Sequence, residues 1–304
     1  MLNYILKRLF FSIFVLFGVA TIVFFLVRMT GDPVAIMLSP DATQEQIDQL
    51  RASLGLDKPL IEQYLIYLGD LIQLDFGRSL RYADSAFALI IERLPKTLML
   101  AGTAMIISLC VAIPTGIIAA LKKGSIFDQG IMALSMVGQS MPVFWIGILL
   151  ILFFAVDLGW LPTGGYGTVK HLVMPAVALA FGLIPLVTRL LRSSLIEVLE
   201  TDYIRTARAK GFMPKAVIFK HALKNSLLPV ITVVGLQMGA LLGGSVVTES
   251  VFAWPGVGQM LVQAITNRDF PLVQAIIIML SAAFVFINLI VDIIYVFVDP
   301  RIQY

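Results

Sequence analysis

The sequence contains little cysteine, little histidine and no phosphate-binding loop, and each of these absences excludes a class of function. Its single cysteine, Cys110, has no partner in the chain, so an internal disulfide is impossible and a cysteine metal site is not expected. The two histidines, His171 and His221, are isolated, and an ordinarily solvated histidine is a better interpretation of each than a metal ligand. The pattern G-x-x-x-x-G-K-[ST] is absent, so we predict that any ATP hydrolysis takes place on another chain. We predict no catalytic residue, no metal site and no cofactor bound by this chain.

Charge is also scarce, at 13% of the 304 residues against about 25% in an average soluble domain. Hydrophobic residues make up 59% of the chain. Many lie in runs near the roughly 20 residues that a helix needs to cross about 30 Å of hydrocarbon. These runs cover residues 9–27, 98–121, 131–156, 172–188, 227–248 and 272–298. The composition therefore predicts an all-α membrane protein with six transmembrane helices.

The first and fourth apolar runs differ in length. The first is longer than the apolar core of a usual signal peptide, so we expect an uncleaved anchor. The fourth is short, and Pro175 and Pro185 lie near its ends. The limits of the fourth span are therefore the least well defined of the six.

Lysine and arginine are concentrated in alternate short loops, and such charge marks the cytoplasmic side of a membrane. With the N-terminus inside, the opposite short loops hold only Lys170 and Arg268. The segment 28–97 is long enough to cross regardless of its charge, although Arg93 and Lys96 are mild contrary evidence. The cytoplasmic set is Lys7, Arg8, Lys122, Lys123, Arg189, Arg192, Arg205, Arg208, Lys210, Lys215, Lys220, Lys224 and Arg301. We predict cytoplasmic termini, and the net charge of +3 then reflects topology and does not indicate nucleic-acid binding.

The spans predict two domains. Residues 1–97 hold the first span and a long outer segment, and residues 98–304 form a five-span core with a cytoplasmic loop at 189–226. In the outer segment, Thr43 and Gln46 fit a capping box, and an amphipathic helix is predicted from Pro59 onward. This pair of helices either caps the bundle at the membrane face or docks an external partner, and the two interpretations are compatible.

The loop 189–226 contains a short basic helix followed by a turn. Asp202 can cap a helix that runs through Lys210, and Gly211 can end it in a left-handed conformation. Pro214 suits the first turn of the next helix. One interpretation is a solvated basic loop near anionic headgroups. The other is a positively charged, small-residue surface that fits a cleft on a soluble protein.

The segment 202–211, D-Y-I-R-T-A-R-A-K-G, closely resembles the cytoplasmic EAA loop of ATP-binding-cassette (ABC) importer permeases, in its peptide/nickel subfamily version. In the general family an acidic residue occupies the position of Arg205, so no salt bridge of that residue can be carried over. The resemblance also covers residues 31–33, 54–60, 75–79, 93–95, 124–128, 248–258 and 288–301.

The resemblance implies a type I ABC importer permease, multi-pass in the bacterial inner membrane. It implies a second homologous permease subunit, two ABC ATPase subunits that hold ATP and magnesium, and a periplasmic or lipid-anchored substrate-binding protein. The solute would be a dipeptide, an oligopeptide, glutathione, an opine or a nickel chelate. The residues expected to couple to the ATPase are Asp202, Tyr203, Arg205, Thr206, Ala207, Arg208, Ala209, Lys210 and Gly211.

Other candidate residues lie in or near the spans. Polar groups there favour a protein- or water-facing position, either on a substrate path or in hydrogen bonds between helices. The polar set is Gln139, Gln237, Glu249, Asn288 and Asp292. Gly235, Gly239 and Gly243 form a small-residue ridge that can pack within the chain or against the second permease. The loop of Phe252, Trp254, Pro255 and Gly256 either contacts the binding protein or anchors at the membrane interface.

Two other functions remain open at this stage. A self-contained secondary transporter usually shows internal repeats and ionisable residues near the membrane centre. Only Asp292 approaches that pattern, and no repeat is evident. A membrane scaffold without transport activity would also use the basic loop and the outer helices.

Overall fold

The computed structural model describes residues 2–29, 34, 43–53 and 55–298, and among these the side chains of residues 2–7, 53, 244 and 292–298 are left undescribed. Apart from one isolated bridge between Arg78 and Ser85, this part of the chain contains no β-strand pairing. The predicted motif at 31–33, together with Leu54 and Arg301, lies outside the described residues.

The described residues form a series of helices. In chain order they are α1 (Leu2–Met29), α2 (Gln44–Ser53), α3 (Leu60–Ile72), α4 (Ala86–Leu121), α5 (Ile126–Ser140), α6 (Val143–Leu150, continued by a π-helical section Ile151–Asp157), α7 (Val169–Leu199), α8 (Asp202–Ala209), α9 (a turn Pro214–Ala216, a π-helical section Val217–Ala222 and Leu223–Val251), α10 (Val257–Thr266) and α11 (Phe270–Val298). Within the described residues, five helices are long and apolar enough to cross a membrane, or six if the bent pair α5 and α6 forms one span.

The third predicted span, 131–156, is not one straight helix. It divides into α5 and α6, which are bent by 99°. Met141 and Pro142 both have extended backbone angles between the two helices. Proline disfavours the helical conformation in the residue before it, so the break at Met141 follows from Pro142.

The fourth predicted span, 172–188, lies within a longer helix. Its limits were the least well defined by the sequence, and α7 continues through Pro175 and Pro185 from Val169 to Leu199. Both prolines are buried in the structure. Neighbouring helices can compensate a proline inside a membrane helix, so these prolines do not end α7.

The chain divides into two compact units. The described residues within Met1–Pro95 and Gly256–Ala283 form the first, and those within Lys96–Pro255 and Phe284–Tyr304 form the second. The first unit buries apolar side chains of α1, α4, α10 and α11, among them Val27, Ile90, Met260 and Ile276. In the second unit, one apolar cluster joins α4, α7, α8 and α9.

The outer segment of the first unit confirms its predicted local structure. Thr43 N donates to Gln46 Oε1 at 3.0 Å, and Gln46 N donates to Thr43 Oγ1 at 3.4 Å, which is a reciprocal capping box. Helix α3 lies against α1, where the hydroxyl oxygens of Tyr64 and Thr21 are 2.7 Å apart.

A buried carboxylate fixes the loop between α3 and α4. Asp269 is almost fully buried and accepts hydrogen bonds from the Ser79 hydroxyl and from the backbone N–H groups of Leu80, Arg81 and Leu272. The loop and the start of α11 are therefore held together within the first unit.

Candidate coupling helix and its surroundings

Helix α8 is a short helix that begins directly after α7. Its N-cap position is Thr201, so the prediction that Asp202 caps the helix is off by one residue. Asp202 is instead the acid of the first turn, where a negative charge is favourable next to the helix N-terminus. Its carboxylate lies 3.2 Å from Arg205 Nη1 on the exposed surface.

The end of α8 has the predicted geometry, with the last helical residue at Ala209 and Lys210 at the C-cap. Gly211 has φ of +80°, the left-handed region that strongly favours glycine. Gly211 N donates to Arg208 O at 3.0 Å and Phe212 N donates to Ala207 O at 3.4 Å, which satisfies carbonyls at the end of the helix. Pro214 then occupies the first turn of α9, as predicted.

The inner face of α8 is seated on its own chain. Ile204 is 0% exposed and Ala207 is 7% exposed. Both belong to the cluster that includes Leu191 and Leu195 of α7 and Val217 of α9. Fully burying an isoleucine side chain contributes roughly 1.5–3 kcal/mol. We call this arrangement the seat of α8.

The seat corrects one sequence-based assignment. Ala207 is one of the residues expected to couple to the ATPase, together with its small neighbours Thr206 and Ala209. The structure turns Ala207 inward, whereas Thr206 and Ala209 are exposed. A helical period of 3.6 residues places positions 204 and 207 on one face, so this separation was readable from the sequence.

The outer face of α8 and the turn after it form one exposed surface, which we call the docking face. It is basic and interrupted by small side chains. Its members are Asp202, Tyr203, Arg205, Thr206, Arg208, Ala209, Lys210 and Gly211. The Asn225 amide of α9 donates to the Tyr203 hydroxyl at 2.8 Å, which adds a polar tie between α8 and α9.

Sequence reasoning missed two apolar residues beside this face. Phe212 is 45% exposed and Met213 is 77% exposed. Exposed apolar side chains next to a polar surface are typical of an interaction site. Their position directly after the glycine turn, inside an otherwise basic loop, was the available signal.

The section of α9 that follows is π-helical from Val217 to Ala222. Such sections are uncommon and frequently occur at functional sites. Val217 and Ala222 at its two ends are both buried in the seat. The irregular section therefore lies next to α8.

The polar residues proposed for a substrate path that the structure describes have different surroundings. Gln139 is exposed and accepts a hydrogen bond from Arg189 Nη2. Gln237 lies half-buried on α9, and Asn288 has its Oδ1 buried without a partner among the described residues. The side chain of Asp292 lies outside the described residues, so its role on a substrate path or in hydrogen bonds between helices stays a prediction.

Glu249 is the most buried of these polar residues. It is fully buried, and its Oε1 accepts from Thr97 Oγ1 at 2.8 Å and from Ser245 Oγ at 3.2 Å. Its backbone oxygen accepts from Trp254 N at 2.8 Å. Through these hydrogen bonds, Glu249 at the end of α9 is linked to α4 and to the loop that follows α9.

The aromatic loop after α9 faces inward, which contradicts both sequence-based interpretations of its rings. Phe252 and Trp254 are each 1% exposed, so neither ring is available as an interfacial anchor or as a contact for another protein. Trp254 Nε1 donates to the Lys96 carbonyl at 3.1 Å, and Phe252 packs with Ile146 and Met174. Of the remaining loop positions, Pro255 is half-buried and Gly256 is buried.

The glycine ridge of α9 is used within the chain at two of its three positions. A Cβ at Gly235 would lie 2.1 Å from Val291 Cγ1, and a Cβ at Gly239 would lie 2.7 Å from Phe284 Cδ2. Both neighbours belong to α11. A Cβ at Gly243 would meet no atom within 4 Å, so this position leaves room for another helix.

The fold is shared with solved membrane subunits of importers. The chain superimposes on a chain of the inward-facing MetNI methionine ABC transporter with a TM-score of 0.57 and 21% identity, covering 70% of this chain and 97% of that one. At 21% identity this likeness shows the fold, which is the helical type I ABC importer permease fold.

Sequence comparison assigns the family. Residues 112–304 match the family described as binding-protein-dependent transport system inner membrane component, and residues 1–101 match its N-terminal region. The chain belongs to this family. It is a multi-pass inner membrane permease component of an ABC transport system.

Three curated relatives match over their full length. The chain is 41% identical to the di/tripeptide transport system permease protein DppB of Pseudomonas aeruginosa, covering 100% of this chain and 99% of the relative. It is 42% identical to the oligopeptide transport system permease protein AppB of Bacillus subtilis, covering 100% of both chains. It is also 42% identical to the glutathione transport system permease protein GsiC of Escherichia coli K12, covering 100% of both chains.

Proposed function

We propose that this chain is a permease subunit of an ATP-driven importer of dipeptides, oligopeptides or a related peptide-like solute. The named relatives act on di/tripeptides, oligopeptides and glutathione, which share peptide bonds or a peptide-like backbone. The observation that carries the proposal is helix α8, with one face seated on its own chain and the other exposed. Substrate selection among peptide-like solutes belongs mainly to a separate binding protein.

The proposed assembly pairs this chain with a second, similar permease around a pore. Two ABC ATPase subunits lie on the cytoplasmic side and hold ATP and magnesium, and a binding protein delivers solute from outside. Both termini and the loop 189–226 are cytoplasmic in this arrangement, as the positive charges of the loop favour. The docking face of α8 lies in a cleft of one ATPase.

The seat explains how such a helix passes motion to the membrane. When the ATPases close around nucleotide, their clefts approach and each cleft moves the helix it holds. Because Ile204 and Ala207 are packed against α7 and α9, a displacement of α8 moves both long helices with it. Rigid-body motion of packed helices then opens the pore alternately to each side.

The test is reconstitution with defined partners. The permease pair, the ATPases and the binding protein are placed in liposomes, and uptake of labelled dipeptide, oligopeptide and glutathione is measured with ATP, with a non-hydrolysable ATP analogue and without the ATPases. The proposal expects uptake only with ATP and the complete assembly. Uptake by the permease without an ATPase would contradict it.

Substrate class has its own assay. A ligand that binds the folded binding protein raises its melting temperature, and the stabilisation grows with the logarithm of ligand concentration over Kd once the ligand is in excess of Kd. We expect a shift with at least one peptide-like solute, and a shift only with a nickel chelate or an opine would reassign the substrate class.

A further inference from the structure

An ion pair joins α5 to the cytoplasmic section of α7. Arg192 donates from Nε to Asp128 Oδ1 at 2.5 Å and from Nη2 to Asp128 Oδ2 at 2.7 Å. The side chain of Asp128 is 3% exposed and that of Arg192 is 23% exposed. A two-pronged contact of this kind fixes direction as well as distance, because the planar guanidinium matches both carboxylate oxygens.

The carboxylate is also held by its own helix start. Gly124 N donates to Asp128 Oδ2 at 2.9 Å, and Ser125, the N-cap of α5, accepts from Asp128 N at 3.4 Å. Asp128 therefore links the turn before α5, the first turn of α5 and α7. Separating α5 from α7 would leave a charge buried without its partner, which is the most costly way to lose an ion pair.

The position of Arg192 connects this pair to α8. Leu191 and Leu195, on the same turns of α7, form part of the seat that buries Ile204. A displacement of α8 is therefore passed to the turn of α7 that carries Arg192, the residue bound to Asp128 of α5. Arg189, one turn earlier, adds a second tie through its hydrogen bond to Gln139 near the end of α5.

We propose that Asp128 and Arg192 are positioning residues that keep α5 fixed to α7 throughout the transport cycle, so that α5 moves together with the coupling helix. This inference rests on the proposed function, since it needs an ATPase that moves α8. The ion pair acts as a permanent clamp, which means that it stays formed throughout the cycle. Transmission of the ATPase motion to α5 requires the intact ion pair.

The first experiment measures solute transported per ATP hydrolysed in the complete reconstituted complex. Asp128→Asn should lower this ratio at least tenfold while ATP hydrolysis stimulated by the binding protein changes less than twofold. Lys123→Gln is the matched control, because its pair with Glu200 lies 3.2 Å apart with both side chains more than half exposed, and such pairs contribute little. The control should keep the wild-type ratio.

The second experiment asks whether the clamp stays closed. In a Cys110→Ala background, Asp128→Cys with Arg192→Cys should lose coupling, and a bifunctional thiol reagent that spans the two sites should restore at least half of the wild-type ratio. A purely structural role predicts instead that uptake, hydrolysis and thermal stability fall together. A pair that must open during the cycle predicts that cross-linking abolishes the remaining uptake.

Three results would overturn the inference: an unchanged ratio in Asp128→Asn, a parallel loss of uptake and hydrolysis, or no restoration on cross-linking. Failure of the proposed function is distinguishable, because the wild-type complex would then show no ATP-dependent uptake at all.

Discussion

Replacing Ile204 by alanine should loosen α8 from its own chain while its docking face stays intact. Ile204 is fully buried against neighbours on α7 and α9. Truncating a fully buried isoleucine costs about 2–5 kcal/mol, partly from lost burial and partly from the cavity left behind. The hydrogen bond from the Asn225 amide to the Tyr203 hydroxyl also holds α8, and it contributes about 0.5–1.5 kcal/mol. Burial of Ile204 thus contributes more to holding α8 on its own chain than the hydrogen bond of Tyr203 does.

This free-energy cost can be converted into a change in the fraction of molecules in which α8 is seated. At about 1.4 kcal/mol per tenfold, the seating equilibrium of α8 falls by a factor between about 30 and about 4,000. The ATPase still binds the docking face and still hydrolyses ATP, but its motion is no longer passed to α7 and α9. We expect ATPase association to be retained and solute uptake per ATP to fall at least tenfold.

A graded series sharpens the assay. Ile204→Val costs about 0.5–1.5 kcal/mol and should give an intermediate uptake per ATP. Ile22→Ala on α1 is the matched control, because its side chain is 60% exposed and its truncation leaves no cavity. The reasoning is refuted if Ile204→Ala transports with the wild-type ratio, or if it loses the ATPase subunits on purification.

Three further predictions concern single positions. Gly211→Pro should abolish ATP-dependent uptake and Gly211→Asn should retain most of it, because proline fixes φ near about −65° and asparagine tolerates the φ of +80° found here; equal uptake by the two variants would exclude a role for this turn. Gly235→Ala should lower the melting temperature of the purified permease by several degrees, since overpacking costs about 1–3 kcal/mol, whereas Gly243→Ala, with no atom within 4 Å, should not lower it, and equal melting temperatures would contradict the packing described for α9 and α11. Trp254→Ala should destabilise the permease by about 3–5 kcal/mol in thermal unfolding without changing binding-protein affinity of the folded fraction, and a weakened affinity with unchanged stability would restore a docking role for this loop.

Composition and hydrophobic periodicity were sufficient for the class of fold. The long apolar runs became α1, α4, α7, α9 and α11, and the capping box at Thr43 and Gln46 formed as expected. The effect of each proline could not be read from the sequence because it depends on the surroundings: Pro142 lies at the bend between α5 and α6, whereas Pro175 and Pro185 are buried inside a continuous helix. Helix α10 was missed, since it is short and follows the aromatic loop directly.

For the site, local pattern predicted the glycine turn at Gly211 and the position of the basic helix. It did not separate the inward Ala207 from the outward Ala209, although helical period allowed this, and it placed Trp254 at the surface. Burial of Trp254 and Glu249 depends on which helices meet in space, and the pairing of Asp128 with Arg192 joins residues far apart in the chain. Such contacts carry no signature in a single sequence.

Photo-cross-linking from α8 tests the central claim most directly. A photoreactive amino acid is placed at position 209, which is exposed, or at position 207, which is seated, in the assembled complex. The account predicts a cross-link to the ATPase from position 209 and a cross-link only within the permease from position 207. Labelling of position 209 by a membrane-impermeant reagent from outside the cell, with no cross-link to the ATPase, would contradict it.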